Sequence, residues 1–428
     1  MSTSLTSAPA AAEQTIVKTR ALKTPITLLA IAVLLGLLFL LAPRYGTTTY
    51  RLADAGAAIR LGDVAVPAGP IVWITWAIAL VLAGLAFAAA MQYRRIGLWL
   101  PIVYAVLGMT AFLTWAGAGA AGAITLVGLL GGSVSLAVPL VFGALGGVIG
   151  ERVGVVNVAI EGQFLLGAFT ATILSSVTHS PFVGLIGAML GGVIVAFVLA
   201  AFAIKYIVDQ VIVGVVLNVF VSGLTGFLYG AVLAPNGQTL NSPVRFSLIK
   251  IPILGDIPVI GPALFNQTFL VYLMYVIVAL VAWGLYRTRW GLRLRAVGEH
   301  PQAADTVGIK VNPTRFWNVL LAGAIAGMGG AYFTLVSVPQ FTKDMTAGLG
   351  FIALAAVIFG RWDPVRAALA ALLFGFATNL QNLLSVLKTP IPSEFMLMLP
   401  YVVTILAVVG FVGQIRGPAA SGKPYIKS

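Results

Sequence analysis

The sequence predicts an all-α, polytopic membrane protein with ten to twelve transmembrane helices, broken or re-entrant helices among them. Three observations carry that expectation. Of 428 residues, 60% are hydrophobic and only 9% charged, whereas a soluble domain carries about a quarter charged. The apolar residues gather in runs of membrane-crossing length with charges between them. Forty-eight glycines and 22 prolines would weaken water-soluble helices, but membrane helices use small residues for close approach and tolerate breaks whose backbone groups are satisfied by neighbours.

A helix needs about 20 apolar residues to cross about 30 Å of hydrocarbon. Twelve runs answer that description in order: Ile26 to Ala42, Ile71 to Met91, Leu98 to Ala116, Leu126 to Ile149, Glu161 to Val177, Val183 to Ile204, Val211 to Ala234, Phe269 to Tyr286, Phe316 to Val336, Leu349 to Phe359, Ala367 to Leu387 and Phe395 to Val412. The fourth contains Gly131, Gly132, Ser133 and Pro139, and the tenth is short for a crossing. These two are the candidates for broken or re-entrant helices.

Loop charges set the expected orientation, because translocating Lys and Arg is disfavoured. With the N-terminus in the cytoplasm, 18 of the 25 basic residues fall inside and seven outside (Arg44, Arg51, Arg60, Arg245, Lys250, Lys343 and Lys388). Both termini are then cytoplasmic, in a cell (inner) membrane. The first run is longer than a signal-peptide core and reads as a retained span. Two long loops fall outside, Pro43 to Gly69 and Pro235 to Thr268; the second holds five prolines and reads as an ordered cap.

Several functions are excluded. The net charge is +13, but the basic residues are scattered rather than gathered into a stripe, so nucleic acid is not an expected partner. There is no cysteine, and His179 and His300 are the only histidines, so no metal cluster is expected. The chain has no phosphate-binding loop; SGKPYIKS at its end lacks the glycine spacing. It therefore does not hydrolyse ATP, and no Ser-His-Asp or His-Glu-x-x-His arrangement suggests a membrane enzyme.

Two segments interrupt the apolar pattern. The loop Arg287 to Arg315 reads RTRWGLRLRAVGEHPQAADTVGIKVNPTR. Pro301 suits the first turn of a helix and Gly308 its stop, so PQAADTV should form two helical turns off the membrane, with Ala303 and Ala304 offering a small-residue face. Such a helix either docks into another protein or rests on anionic headgroups.

The second segment, GERVGVVNVAIEGQFLLGA from Gly150 to Ala168, brings Glu151, Arg152, Asn157 and Glu161 to membrane depth, where ionisable groups are costly unless paired or wet. Glu151 and Arg152 could pair with each other. Asn157 and Glu161, four apart, would share one helical face and offer an amide and a carboxylate to a pathway. Asn218, Asn379 and Asn382 join them as candidate pathway residues, with the competing reading that such amides bridge helices for about 0.6 kcal/mol each.

No chain of buried acids recurs, which suits an uncharged, hydrogen-bonding solute. The pairs Gly143 and Gly147, Gly187 and Gly191, Gly226 and Gly230, and Gly323 and Gly327 have helix-packing spacing. An echo between VIGERVGVVN and VIFGRWDPVR suggests internal duplication.

These residues carry a resemblance. QAADTVG, Gln302 to Gly308, resembles the E-A-A-x-x-x-G loop of ABC importer permeases, whose coupling helix seats on the ATPase subunit; Gln302 stands where that loop has an acid. The wider WGLRLRAVGEHPQAADTVGI is similar to the ribose and branched-chain amino acid permease group, nearest to nucleoside permeases that work with basic-membrane-protein type lipoproteins. The Gly150 to Ala168 segment resembles the same group's motif of an acidic-Arg pair, a Val-Asn step and a Glu-Gly, placing Glu151, Arg152 and Gly162 in a structural motif.

The resemblance implies a permease core over 98–414, preceded by a tail and two added helices (1–97) and followed by a cytoplasmic tail (415–428). The coupling loop is then 287–315, with Glu299, His300, Pro301, Gln302, Ala303, Ala304, Asp305 and Gly308 meeting the ATPase. It also implies uptake of nucleosides, an ABC ATPase carrying ATP and Mg, a second permease subunit that is a paralogue, a substrate-binding lipoprotein, and no cofactor on this chain. The alternatives are a permease for a simple sugar such as ribose or for branched-chain amino acids, and an ATPase-independent secondary transporter.

Overall fold

A computed structural model describes residues 22–53, 59, 61–94, 96–97, 99–387, 394–396, 398, 401–402, 405 and 417–427. Among the described residues, ten helices are long and apolar enough to cross a membrane. The twelfth expected run, Phe395 to Val412, lies for the most part outside the described residues. The chain divides into two compact units, the first centred on residues up to Gly46 and Pro67–Ala118, the second on Gly119–Val408.

The first unit holds α1 (Lys23–Leu41), α2 (Ala68–Met91) and α3 (Trp99–Ala116). Ala79, Ala83 and Ala86 keep one side of α2 thin, and Leu28, Ala32, Leu100 and Tyr104 fill the space. Polar tips find backbone acceptors where a bilayer offers none: the Tyr104 hydroxyl donates to Leu28 O at 2.7 Å and Trp76 Nε1 to Ala32 O at 2.8 Å. The third helix, expected to open the permease core, thus groups with the two before it.

The second unit begins with strand β1 (Thr47–Arg51), β2 (Val64–Pro67) and β3 (Ile124–Thr125), β1 and β3 running parallel with Tyr50 opposite Ile124. Its bundle comprises α4 (Leu126–Arg152), α5 (Ile160–Thr178), α6 (Pro181–Ala200) and α7 (Gln210–Leu228), followed by the short α8 (Gly237–Leu240). After strand β4 (Leu248–Lys250), α9 (Ile260–Phe265) and strand β5 (Asn266–Thr268) come α10 (Phe269–Arg287), α11 (Arg289–Glu299), α12 (Pro301–Thr306), α13 (Val311–Tyr332), α14 (Leu349–Phe359) and α15 (Pro364–Val386). Single π-helical turns extend α6 to Lys205, α7 to Leu233 and α13 to Ser337.

The core lies where α4, α5, α6 and α13 cross. Glycines allow it. A side chain at Gly143 would strike Phe164 and Ala353, one at Gly147 would strike Val357, and Gly323 and Gly327 face the backbones of Gly192 and Ala188 with no room for a methyl group. Gly187 and Gly191 likewise lie against α5, but Gly226 and Gly230 face open space, so that pair does not pack as its spacing suggested. A second correction concerns α4, which runs unbroken through Gly131, Gly132 and Pro139. Its neighbours explain the continuity: from Ala137 to Glu151 the helix is buried on every side, so other helices can accommodate the backbone group that Pro139 releases.

Pro235 to Thr268 is ordered. Strands β4 and β5 pair antiparallel with Leu248 opposite Thr268, the Tyr272 hydroxyl donates to Ile249 O at 2.7 Å, and Phe246 stacks on Phe269 at 5.4 Å with Phe182 edge-on to both. Gln267, buried, donates to Gly131 O and Ala263 O, tying the segment to the start of α4.

Candidate functional site

The loop between α10 and α13 is built as two short helices on a fixed base. Thr288 caps α11 by accepting the Gly291 N–H at 3.2 Å, which satisfies one donor of the first turn. Gly291 is pressed against the carbonyls of Gly284 and Leu285, where no side chain fits. Leu294 and Val297 are fully buried, and Trp290 Nε1 donates to Asn318 Oδ1 of α13 at 2.8 Å. Pro301 then opens α12 and Gly308, at φ +86°, ends it, as the sequence indicates.

The two alanines of α12 separate. Ala304 is 3% exposed and faces the chain's own core, whereas Gln302, Ala303, Thr306 and Val307 are exposed. The small-residue face expected of both therefore belongs to Ala303 alone. Glu299 and His300, just before α12, are exposed and Asp305 is half-buried.

Glu151 and Arg152 do not pair with each other. The Glu151 carboxylate, 5% exposed, accepts the Trp362 indole N–H at 2.6 Å, and Arg152 donates through Nε to Trp362 O at 2.9 Å. Its Nη1 reaches Glu299 at 4.0 Å. Arg361 and Trp362 both have φ +55°, a left-handed conformation costing about 1–3 kcal/mol at each such residue, and this turn aims the indole at Glu151. The two echoing segments of the sequence thus touch. Gly298 packs on the Arg152 carbonyl with no space for a side chain, so the base of the α11–α12 loop rests on the end of α4.

Asn157 lies ahead of α5, not on it, so it shares no helical face with Glu161. Gly154 at φ +97° turns the chain and delays the helix to Ile160. Asn157 instead exchanges two amide hydrogen bonds with Gln163, at 3.0 and 3.2 Å. Glu161 accepts from the Thr346 hydroxyl at 2.6 Å, Gly348 N at 2.8 Å and Gly350 N at 2.6 Å. It places a carboxylate on the first turn of α14, where backbone donors lack helical partners and the helix dipole favours a negative charge.

Asn218 accepts the Gly162 N–H and donates to Val158 O, both at 2.9 Å, bridging α7 to the start of α5. Gly162 permits this approach, because a Cβ there would lie 3.2 Å from Asn218 Oδ1. On α15, Asn379 donates to Leu129 O at 2.7 Å and is half-buried, while Asn382 is exposed. Sequence reasoning missed Gln163, Gln210, Trp362 and Arg315. The first two are amides within or beside apolar runs, a signal equal to that of Asn218; Gln210 accepts the Val156 N–H at 2.7 Å.

The family described as branched-chain amino acid transport system / permease component matches residues 129–408. The chain belongs to this permease family. It is 41% identical over 300 residues to the guanosine ABC transporter permease protein NupQ of Bacillus subtilis, covering 68% of this permease and 94% of that protein. It is 40% identical over 299 residues to the nucleoside ABC transporter permease protein NupC of Lactococcus lactis, with the same two coverages. A Haloferax volcanii protein named provisionally as a glucose ABC transporter permease is 36% identical over 258 residues, which is 59% of this permease and 77% of that protein. No solved structure matches the permease.

Proposed function

We propose that this permease takes up nucleosides and that α12 is the coupling helix on which an ABC ATPase subunit docks. One observation carries the docking reading. The exposed face of α12, formed by Gln302, Ala303, Thr306 and Val307, stands on a loop joined to the bundle by Trp290–Asn318 and Arg152–Glu299. A force on α12 is therefore delivered to α4 and α13, the helices at the centre of the core. ATP and Mg belong to the partner ATPase, whose binding and hydrolysis of ATP rock those helices between outward and inward access.

The similarity to the guanosine and nucleoside permeases supports the substrate assignment. Asn382, exposed on α15, is our candidate for contact with the solute, and Asn157, Glu161, Asn218 and Asn379 hold the helices around it, since their polar atoms already bond to the chain. A second permease subunit, a paralogue, completes the pathway, and a substrate-binding lipoprotein delivers the nucleoside. Both termini and α12 lie on the cytoplasmic side, in keeping with the distribution of basic residues.

The second reading, a sugar permease, is favoured by the similarity to Haloferax proteins named as glucose permeases. Reconstitution with the ATPase, the second permease and the lipoprotein separates the two: guanosine should stimulate ATP hydrolysis and enter the vesicles, and glucose should do neither. Uptake of glucose without guanosine would reverse the substrate assignment. A permease that moves solute with no ATPase present would overturn the coupled mechanism.

A further inference from the structure

Beyond the last span, Gly417–Lys427 returns to the base of the α11–α12 loop and touches four parts of the second unit. Ala420 N donates to Gly298 O at 2.9 Å and Ala419 N to Glu299 Oε2 at 3.2 Å. Gly417 lies under the Trp362 ring, where a Cβ would sit 3.0 Å from it. Lys423 O accepts from Arg315 Nη1 at 2.9 Å. The Tyr425 ring packs on the core, and its hydroxyl is close enough to the Asp305 carboxylate of α12 to feel its charge. Burial, followed by the neighbouring Asp305 carboxylate, pushes the Tyr425 pKa up, against a smaller opposing effect of Arg315.

Arg315 shows that the segment is more than a surface covering. It lies in the second turn of α13, it is 2% exposed, and its Nε and Nη2 have no hydrogen-bond partner among the described residues. The carbonyl of Lys423 is the acceptor it does have. A buried guanidinium is costly without acceptors, so removing the segment leaves a cation exposed to solvent or unpaired at the foot of a central helix. The same eleven residues meet Asp305 of α12, Glu299 before it, Arg315 of α13 and the turn that seats Trp362 on Glu151.

We propose that Gly417–Lys427 is a positioning strap that makes α12, α13 and the Glu151–Trp362 turn move together when the ATPase pulls on α12. The inference rests on the reading of α12 as the coupling helix. Its residues need not meet the ATPase or the solute; they transmit displacement by holding three elements in one register.

The test uses the full complex in proteoliposomes with Mg-ATP and guanosine, and reads guanosine moved per ATP hydrolysed. The unaltered complex comes first, since absence of ATP-driven uptake there would overturn the proposed ATP-coupled guanosine uptake and not the strap. With uptake established, a chain ending at Arg416 should still co-purify with the ATPase and hydrolyse ATP, but its guanosine per ATP should fall by about tenfold or more. Tyr425→Phe keeps the packed ring and removes the hydroxyl beside Asp305; its loss should be smaller, and it should not add to that of Asp305→Asn. An unchanged ratio in the shortened chain overturns the strap. Loss of the ATPase from that chain also overturns it, by making the segment an assembly element. If the shortened chain fails to insert, the Tyr425→Phe and Asp305→Asn cycle decides alone, and additive effects or none count against coupling between the strap and α12.

Discussion

Glu161 gives the sharpest separation between a residue that faces solute and one that holds the fold. Three donors converge on its carboxylate, the Thr346 hydroxyl and the N–H groups of Gly348 and Gly350. Hydrogen bonds to a charged group contribute about 1.5–3 kcal/mol each, and a buried donor left unpaired costs about 1–3 kcal/mol. The three share one acceptor group and do not add fully, so Glu161→Ala should cost about 3–5 kcal/mol. Glu161→Gln retains one oxygen but turns an NH2 toward backbone donors, and should cost about 1–3 kcal/mol.

The assay is thermal unfolding of the purified permease in lipid nanodiscs, paired with guanosine uptake by the reconstituted complex. Glu161→Ala should unfold on the order of 10 °C lower, at about 2–4 °C per kcal/mol for a large domain, with Glu161→Gln between it and the unaltered chain. Uptake should fall in step with the folded fraction. Normal thermal stability in Glu161→Gln together with lost uptake would refute this reasoning and return the carboxylate to the pathway.

Three further expectations follow from the same contacts. Trp362→Phe leaves the buried Glu151 carboxylate without its indole donor and should lower stability by about 2–3 kcal/mol, measured by the same unfolding; no change would mean that Glu151 finds another donor. Ala303→Trp on the exposed face of α12 should abolish co-purification with the ATPase while leaving the melting temperature intact, whereas Ala304→Trp, at a buried site, should lower the melting temperature itself; equal effects would deny that α12 docks by one face. Since the chain has no cysteine, single cysteines at the exposed Gln302 and Ser247 should be labelled by impermeant reagent from opposite sides of the membrane, Gln302 from the cytoplasm, and labelling from one side alone would overturn the orientation.

The spans were legible in the sequence because lipid imposes a simple demand: a long apolar run must satisfy its own backbone. What surrounds a helix was less legible. Pro139 and the glycines of α4 look like a break when read along the chain, and become tolerable only once α5, α13, α14 and α15 bury them. The spacing of Asn157 and Glu161 implied a shared face because it presumed a helix, and the turn at Gly154 removes that premise. Glu161 finds its donors at Thr346, Gly348 and Gly350, a separation along the chain that local periodicity cannot signal. The alanines of α12 are identical in sequence terms, and only packing against the rest of the chain assigns one inward and one outward.

The two motifs that carried the family resemblance also prove to be one physical object. Arg152 belongs to the first and Glu299 borders the second; they meet at 4.0 Å, and Gly298 rests on the Arg152 carbonyl. Glu151 and Arg152 both engage Trp362, which lies in the segment echoing their own. Movement of the α11–α12 loop cannot leave the end of α4 behind without breaking contacts at Gly298, Glu299 and the Trp362 turn together. If α12 is where ATP-driven force enters, that force reaches α4 directly, and α4 leads to Gly128 and Leu129, the carbonyls held by Asn379 on α15. A rigid, uninterrupted α4 is what such a lever requires, and this explains why a helix with a mid-span proline is packed too closely to bend.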